Sequence, residues 1–410
     1  MKNSTVFSIL ILSMAFLGCS QNQQLIPKVK VKTGAEVLLD NHLQDLKNKK
    51  VGLVMNPTSL VDGVHMLDTL LQSDINITAL FAAEHGFRGE AGAGEKISDG
   101  IDQQTGIPVH SLYGETRKPT SEMLKEVDII LFDLPDVGAR FYTYSSTMGY
   151  VLEAATENNK EMWILDRPNP LGGNYVSGWI LEDRFKSFVG SYPMPIAYGL
   201  TMGEIATMAV GEQWLNLEKE PQLKIVKAEG WERDMKWPDT GLQWIVPSPN
   251  LPTFEHAFAY VGTVIFEGTN LSEGRGTEDP FLTIGSPHMN FTTKDLEELE
   301  VKFNVQLDSV SFTPKAIPGK AINPKLKDVE CTGVKISWND NYQKADPVEF
   351  GLALLNFAKK HTHDFEVKEF ANKLFGIDIK TLLESNEPLP GWEEETEAFK
   401  KQREPYLLYD

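Results

Sequence analysis

The sequence has few cysteines, a shortage of basic residues and almost no long hydrophobic runs. Its 410 residues contain two cysteines, which excludes a disulfide-stapled scaffold, and a chain of this length can form its cores without staples. Lys and Arg total 39 against 58 Asp and Glu, for a formal net charge of −19. A field of that sign repels phosphate backbones, so nucleic acid is not an expected partner. The length predicts two or three domains.

The one long hydrophobic run lies at the N-terminus. Residues 6–17 are apolar, a run too short to span a bilayer comfortably but typical of a signal peptide. Cys19 follows after a glycine, where a lipoprotein signal places the cysteine that is acylated after cleavage. We therefore expect residues 1–18 to be a lipoprotein signal peptide, Cys19 to carry lipid and residues 19–35 to form a polar tether. An ordinary secretory signal is the alternative.

This signal predicts an exported protein that is lipid-anchored to the cell envelope and faces the periplasm. No other run approaches membrane length, so we expect contact with the membrane only through the N-terminal lipid. Acylation of Cys19 would leave Cys331 as the remaining thiol, and no internal disulfide would then form. The oligomeric state is left open.

Short apolar runs alternate with helical patterns in the first part of the chain. Helices are expected at 65–71, after the Pro-Thr-Ser-Glu sequence at 119–122, around 148–155, and after the capping box formed by Thr201 and Glu204. Nearly continuous apolar strands that alternate with helices predict an α/β domain with a doubly wound parallel sheet. The four expected strands are residues 50–56, 77–83, 127–132 and 161–165.

A segment rich in Pro and turn residues follows at 245–253 (IVPSPNLPT). It predicts a domain boundary near residue 245. We expect a catalytic domain at 36–245 and a smaller mixed α/β domain at 246–410 that completes a cleft.

Polar side chains follow each of the four predicted strands. Because open parallel sheets bind ligands outside the carboxyl ends of their strands, we expect a functional site there. The alternative is that these residues serve turns and caps, with an ion pair between Glu84 and Arg88 and a turn braced by Asp166 and Arg167. In strand order the residues are Asn56, then Glu84, His85 and Arg88, then Asp133, Asp136, Arg140 and Tyr142, then Asp166 and Arg167.

The chemistry expected of this site uses two carboxyl groups. Glu84 follows three apolar residues, and a partly dry cleft would raise the pKa of its carboxyl group, as a general acid requires. Asp133 or Asp136 would supply an ionised carboxylate, and the pair would suit glycoside hydrolysis. Glu267 and Glu273 remain alternatives for the second carboxylate, and the stereochemical outcome is left open.

A glycine-rich segment of the second domain, FEGTNLSEGRGT at 266–277, is expected to contribute ligand contacts. Arg275 would bind a substrate carboxylate through paired hydrogen bonds, and Arg140 is the alternative. A tight surface turn is the competing interpretation of this segment. The expected contacts of this domain are Glu267, Asn270, Glu273, Arg275 and, from the 247–252 segment, Asn250.

Neither a metal nor a nucleotide cofactor is expected. The His and Asp residues at the strand ends lack HExxH, CxxC or HxH spacing. The glycine-rich stretch at 89–96 fits neither a phosphate loop nor a dinucleotide fingerprint, and we interpret it as a flexible loop that could serve as a lid.

Five motifs in this order resemble the exo-β-N-acetylmuramidase family (glycoside hydrolase family 171). The resemblance covers about residues 35–410 and implies a Rossmann-like N-terminal domain, a smaller C-terminal domain and a sugar-binding cleft between them. It implies release of N-acetylmuramic acid from the non-reducing end of peptidoglycan fragments, in cell-wall turnover and recycling. It also places Glu84 at the position of the family's leading catalytic candidate, with His85 beside it. The motifs are AEHGFRGE, DLPDVGARFYTY, LDRPNPLGG, PSPNLPT and FEGTNLSEGRGT.

Two other functions are weighed against this one. A non-catalytic, lipid-anchored sugar-binding protein would share the cleft between two α/β lobes and would bind a muramyl ligand without turnover. A metal-dependent hydrolase would lose activity in the presence of a chelator.

Overall fold

The computed structural model describes residues 30–88, 99–340, 342–385 and 388–410. The expected signal peptide, Cys19, the tether up to residue 29 and the expected lid at 89–96 lie outside these residues and stay predictions. Within the described part of the chain, none of the helices has the length and apolar character needed to cross a membrane.

The first part of the chain builds one large sheet and a small hairpin. The hairpin pairs β2 with β3, and the other strands form the seven-stranded sheet. The strands are β1 (Lys50–Met55), β2 (Leu60–Val61), β3 (Val64–His65), β4 (Asn76–Ala82), β5 (Gly100–Ile101), β6 (Pro108–Ser111), β7 (Ile129–Asp133), β8 (Glu161–Leu165) and β9 (Gln222–Val226).

The order of strands across the sheet is β5-β6-β4-β1-β7-β8-β9. All neighbours are parallel except β5, which pairs antiparallel with β6. The six parallel strands follow the order of the Rossmann fold, in which the chain changes direction on either side of the first strand. The predicted doubly wound parallel sheet is confirmed, and its four expected strands correspond to β1, β4, β7 and β8.

Both faces of the large sheet are buried, because successive side chains of each strand point to opposite faces. Leu53 of β1 shares one core with Leu67 of a helix on that face. Phe132 of β7 shares the other core with Leu152 of a helix on the opposite face. Burying a side chain of this size contributes roughly 1.5–3 kcal/mol. The helices of this part are α1 (Gly34–Val37), α2 (Met66–Gln72), α3 (Tyr144–Glu157), α4 (Met202–Gly211) and α5 (Trp237–Thr240).

The second part of the chain forms a smaller α/β unit with its own antiparallel sheet, in the order β10-β12-β11. A 3₁₀ helix at Val264–Gly268 follows the first helix of this unit. The strands and helices are α6 (Phe254–Thr263), β10 (Thr283–Ser286), α7 (Thr293–Phe303), β11 (Gln306–Phe312), β12 (Cys331–Ser337), α8 (Pro347–His361), α9 (Phe370–Phe375), α10 (Ile379–Ser385) and α11 (Glu393–Arg403).

Two local features differ from the expectations. The predicted helix after residues 119–122 is wrong, because the chain forms successive turns there. Helix α6 was not predicted, although its sequence FEHAFAYVGT has an amphipathic pattern, and it directly follows the Pro-rich segment that was interpreted as a domain boundary. Every one of its residues except Glu255 is buried.

The C-terminal residues return to the first part of the chain. Tyr409 donates a hydrogen bond of 2.7 Å from its hydroxyl group to Asp166 Oδ2. The backbone N–H of Leu408 donates to Glu204 Oε1 at 2.8 Å. Glu204 also completes the predicted capping box with Thr201, which is confirmed.

Candidate active site

A cavity of about 590 Å³ is lined by both parts of the chain. This volume is within the range of small-molecule sites. The first part contributes Glu84, Tyr113, Phe141, Thr143 and Val189. The second part contributes Tyr260, Val264, Glu267, Arg275, residues 320–324, Phe370 and Leu374.

Glu84 occupies a tight turn directly after β4. The backbone N–H of Gly86 donates to the carbonyl oxygen of Ala83 at 3.1 Å, which closes the turn. His85 adopts a φ angle of 75° in this turn, a region that disfavours residues with a Cβ and costs about 1–3 kcal/mol. The turn positions the half-buried Glu84 on the cavity wall, whereas His85 is buried beneath it.

Two residues at the start of α3 fix Glu84. Thr143 donates a hydrogen bond from its hydroxyl group to Glu84 Oε2 at 3.0 Å. The hydroxyl group of Tyr144 donates to the backbone carbonyl oxygen of Glu84, also at 3.0 Å. Both the carboxyl group and the backbone of Glu84 are therefore held from the same helix terminus.

Tyrosine side chains surround Glu84. Tyr113 lines the cavity together with Glu84. Burial, and then the negative charge of Glu84, raise the pKa of Tyr113 and of Tyr144 well above the usual range. Burial is also the main cause of the raised pKa of Tyr260. These phenols keep their protons near neutral pH, and Tyr113 and Tyr260 line the cavity, whereas Tyr144 already donates its proton to the backbone of Glu84.

The opposite wall of the cavity carries an ion pair between Glu267 and Arg275. The Nη2 and Nε atoms of Arg275 lie 2.6 Å and 3.2 Å from Glu267 Oε1. Glu273 lies behind this pair, with its Oε1 3.6 Å from Arg275 Nε and its Oε2 2.8 Å from Lys325 Nζ. Burial lowers the pKa of Arg275, but the two glutamates outweigh it and raise the pKa overall.

The backbone of the glycine-rich loop adopts left-handed conformations that favour glycine. Gly274 and Gly276 adopt φ angles of 79° and 82°. A Cβ at Gly276 would lie 2.5 Å from the carbonyl oxygen of Lys315. The interpretation of this segment as a ligand-binding loop agrees with the presence of Glu267 and Arg275 in the cavity wall. Glu273 is buried behind them.

The structure does not bring Asp133 and Asp136 to the cavity wall, contrary to expectation. Asp133 is fully buried and its two carboxylate oxygens accept hydrogen bonds from Arg167 at 2.6 Å and 2.9 Å. Asp136 accepts hydrogen bonds from the hydroxyl group of Tyr198 and from the backbone N–H of Val137. Burial raises the pKa of Asp136 to about 6.

Asp166 and its neighbour Arg167 serve the interior of the fold. Asp166 accepts hydrogen bonds from Thr201 Oγ1 at 2.6 Å, from the N–H of Gly203 at 2.9 Å and from Tyr409. Burial raises the pKa of Asp166 to about 6. Their contacts fit the alternative interpretation, in which Asp166 and Arg167 stabilise the fold and do not bind a ligand.

Two predicted arginines are also engaged away from the cavity. Arg140 is buried and donates to the backbone carbonyl oxygens of Trp179, Met194 and Leu374 at 2.6–3.0 Å. Burial lowers the pKa of Arg140 to about 9. Arg88 forms an ion pair with Asp102 at 2.6 Å. The expected contact between Arg140 and a substrate carboxylate is therefore not met, which leaves Arg275 as the candidate.

The remaining predicted residues hold the loops around the cavity. The hydroxyl group of Tyr142 donates to the carbonyl oxygen of Pro247 at 2.9 Å, and the side chain of Asn56 donates to the hydroxyl group of Tyr144 at 3.0 Å. Asn250 donates to the carbonyl oxygen of Lys320 at 3.0 Å. Asn270 donates to the carbonyl oxygen of Asp364 at 2.7 Å. These residues position the cavity wall and do not line it.

Several cavity residues were missed by the sequence analysis. Tyr260 lies on the buried helix α6, and residues 320–324 lie in a loop without a recognisable motif. Thr143 lies inside the DLPDVGARFYTY motif, between Tyr142 and Tyr144, and its position directly before α3 was the available signal. Among the described residues, no group of three or more His, Cys, Asp or Glu side chains is arranged to hold a metal ion.

Family models match both parts of the chain. The model described as "Exo-beta-N-acetylmuramidase NamZ, N-terminal" matches residues 51–255, and its C-terminal counterpart matches residues 258–409. The chain belongs to the exo-β-N-acetylmuramidase family. It is 41% identical to the peptidoglycan beta-N-acetylmuramidase NamZ of Bacillus subtilis (strain 168), over 94% of this chain and 93% of that protein.

Solved structures of similar proteins support the fold of this family member. A DUF1343 family protein from Bacteroides fragilis NCTC 9343 is 34% identical, with a TM-score of 0.79 over 94% of this chain and 100% of that chain. A second one from the same organism is 33% identical, with a TM-score of 0.75 over 93% of this chain and 99% of that chain. The family predicted from the five motifs is confirmed.

The motifs of the exo-β-N-acetylmuramidase family converge on the cavity. AEHGFRGE supplies Glu84, DLPDVGARFYTY supplies Thr143, and FEGTNLSEGRGT supplies Glu267 and Arg275. PSPNLPT supplies Asn250, which holds the 320–324 loop. Residues that are far apart in the sequence therefore form one site.

Proposed function

We propose that this chain releases N-acetylmuramic acid from the non-reducing end of peptidoglycan fragments by hydrolysing its β-glycosidic bond. Membership of the exo-β-N-acetylmuramidase family supports this activity. The observation that carries the proposal is that Glu84 and Glu267 line the same cavity, each with a hydrogen-bonding or charged partner.

Glu84 is the general acid in this proposal. Its carboxyl group would protonate the glycosidic oxygen, which makes the departing sugar a better leaving group. The hydrogen bond from Thr143 supports this role because it restricts the orientation of the carboxyl group at the cavity wall. A fixed orientation is a prerequisite for efficient proton transfer.

Glu267 is the second carboxylate. Of the four candidates from the sequence, it is the one whose side chain lines the cavity. Asp133 and Glu273 are buried and bound to cations, and Asp136 is bound to Tyr198. Glu267 forms an ion pair with Arg275, and its carboxylate would stabilise the positive charge that develops on the sugar ring.

Arg275 would also recognise the lactyl carboxylate that distinguishes N-acetylmuramic acid from N-acetylglucosamine. A guanidinium carries five N–H donors, and Glu267 engages those on Nε and Nη2. Lys320 lies on the same cavity wall and would add positive charge for an anionic sugar.

The substrate proposal is tested by release of a chromophore from two aryl glycosides. A β-N-acetylmuramide should be hydrolysed, and a β-N-acetylglucosaminide, which lacks the lactyl group, should be a much poorer substrate. Release of free N-acetylmuramic acid from peptidoglycan fragments would be followed by mass spectrometry. Absence of turnover of all three substrates by the folded protein would overturn the proposal.

We also propose that the protein is a lipoprotein of the cell envelope that faces the periplasm. The support is the apolar run at 6–17 followed by a glycine and Cys19. Incorporation of a labelled fatty acid in cells should be lost in the Cys19→Ala variant and retained in the Cys331→Ser variant. Equal labelling of both variants, or no labelling of the natural sequence, would contradict the anchor.

A further inference from the structure

A second depression of about 380 Å³ lies beside the cavity. We name it the side groove, and its wall includes Arg117, Ser146, Tyr150, Lys186, Phe188 and Trp214. Phe188 and Val189 are consecutive residues in a tight turn, in which Ser187 and Gly190 exchange backbone hydrogen bonds of 2.9 Å and 3.0 Å. Phe188 lines the side groove and Val189 lines the cavity, so one turn separates the two spaces.

Helix α3 connects the side groove to Glu84. Thr143, the residue before α3, donates to Glu84 in the cavity. Ser146 and Tyr150 follow at helical spacing and line the side groove. The helix rises about 1.5 Å per residue, so Tyr150 lies roughly 10 Å along the axis from Thr143. A short oligosaccharide spans that distance.

The side groove is rigidly built. Ser146 donates a hydrogen bond from its hydroxyl group to the carbonyl oxygen of Phe188 at 2.9 Å, which anchors the turn to α3. Tyr192 and Trp214, which both line the side groove, stack with ring centroids 5.6 Å apart and an angle of 20° between the ring planes. The turn that separates the side groove from the cavity is therefore anchored to α3.

Aromatic rings and basic groups form the floor of the side groove. Phe188 and Tyr150 are both half-buried and nearly parallel, with an angle of 14° between their planes. Tyr113, which lines the cavity together with Glu84, lies 6.1 Å from Phe188 between ring centroids. The exposed guanidinium of Arg117 lies 4.3 Å from the centroid of the Phe188 ring. The aromatic surface thus continues from the cavity into the side groove.

We propose that the side groove binds the leaving-group saccharide, the amino sugars that follow the bond cleaved beside Glu84. This inference rests on the proposed function. An exo-acting enzyme holds one sugar in its cavity, and the rest of the glycan extends past the cavity wall. The apolar C–H face of a pyranose ring is favourably removed from water by contact with aromatic surface, which Phe188 and Tyr150 supply in the side groove. Arg117 and Lys186 would meet the carboxylates of a muramyl sugar further along the glycan.

The test compares Phe188→Ala with a matched control, Phe185→Ala. Phe185 also carries an arginine over its ring, Arg184 at 4.7 Å, but it is not in the wall of either space. The specificity constant kcat/KM would be measured for an aryl β-N-acetylmuramide and for a glycan fragment that begins with N-acetylmuramic acid. In Phe188→Ala the ratio of glycan to aryl values should fall about tenfold, mainly through a higher KM, as expected for the loss of one aromatic contact.

The control should keep the ratio of the unaltered protein. An unchanged ratio in Phe188→Ala, with both substrates still hydrolysed, would overturn the side groove as a saccharide site and leave the proposed function intact. Binding of N,N′-diacetylchitobiose, measured by titration calorimetry, provides a readout that does not require turnover. Binding to the unaltered protein and to Phe185→Ala, but weaker binding to Phe188→Ala, supports the side groove even if hydrolysis fails. Equal binding by all three proteins, or no binding, contradicts it.

Discussion

Acidic residues follow β4, β7 and β8 at the same edge of one sheet, but their surroundings differ. Glu84, after β4, is half-buried and lines the cavity. Asp133, at the end of β7, is fully buried, and its two carboxylate oxygens accept hydrogen bonds from Nε and Nη2 on one edge of the Arg167 guanidinium. Asp166, after β8, is fully buried among hydroxyl and backbone donors. A strand end brings a carboxyl group to the rim of the sheet, and its neighbours determine whether it faces a ligand or stabilises the fold.

The difference follows from the cost of burying charge. A carboxylate that loses water must gain a cation or several hydrogen bonds in exchange, or it becomes protonated. Asp133 gains a cation, whereas Asp166 gains donors and has its pKa raised by burial. Glu84 is half-buried at the cavity wall, where the hydroxyl group of Thr143 donates to its carboxyl group, so this carboxyl group lies where a substrate would bind.

The largest expected effect is at Glu84. The Glu84→Gln variant should lower kcat by about 10²–10⁴-fold, because an amide cannot donate the proton of a general acid. The melting temperature should stay the same, since glutamine keeps the shape of the side chain. The control is Glu157→Gln at the exposed end of α3, which should leave kcat unchanged. A Glu84→Gln variant with full activity would move the acid role to another residue.

The next effect concerns the buried ion pair of Asp133. The Asp133→Asn variant leaves the Arg167 guanidinium largely buried without its carboxylate and should lower the free energy of unfolding by about 3–5 kcal/mol. Urea unfolding monitored by circular dichroism measures this change. A loss of activity without a loss of stability would instead show that Asp133 acts on the substrate.

A smaller effect is the pH dependence of stability due to Asp166. Its pKa is raised from 3.8 to about 6 in the folded protein, so the folded state binds its proton more tightly than the unfolded state does. This contribution to stability is therefore complete below about pH 4 and is lost as the pH rises through 6. Two pKa units correspond to about 2–3 kcal/mol.

The Asp166→Asn variant tests this contribution because it removes the ionisable group. The unfolding free energy of the variant minus that of the unaltered protein should increase by about 2–3 kcal/mol between pH 4 and pH 7, because only the unaltered protein loses stability over this range. Urea unfolding at several pH values measures the difference. A difference that does not vary with pH would mean that Asp166 titrates alike in the folded and unfolded states.

The smallest effect concerns the C-terminal contact to Asp166. The Tyr409→Phe variant removes a buried hydrogen bond to a carboxyl group and should cost about 1.5–3 kcal/mol. The Tyr406→Phe variant removes a hydrogen bond of 2.8 Å to Glu212 at a more exposed position and should cost less than about 1 kcal/mol. Equal costs in thermal unfolding would show that burial does not distinguish the two contacts.

Local patterns in the sequence were sufficient to predict several of the strands and caps that position the site. The expected strand at 161–165 has the same bounds as β8, and the capping box of Thr201 and Glu204 forms as predicted. Apolar runs and caps are signals within a few residues, so they can be read along the chain. The same reasoning placed Glu84 at a strand end, and the motifs indicated the family.

Other features depend on contacts between distant residues, which no local pattern contains. Arg167 reaches an aspartate 34 positions earlier, and Arg140 reaches a carbonyl oxygen 234 positions later. The 320–324 loop becomes part of the cavity wall beside Glu84, with Asn250 bound to it. Strand ends, the acidic residues that follow them and the family can thus be predicted from short stretches of sequence. Which acidic residue is buried in the fold and which lines the cavity depends on the groups that folding brings to it from elsewhere in the chain, because burial and charge pairing are properties of three-dimensional neighbours.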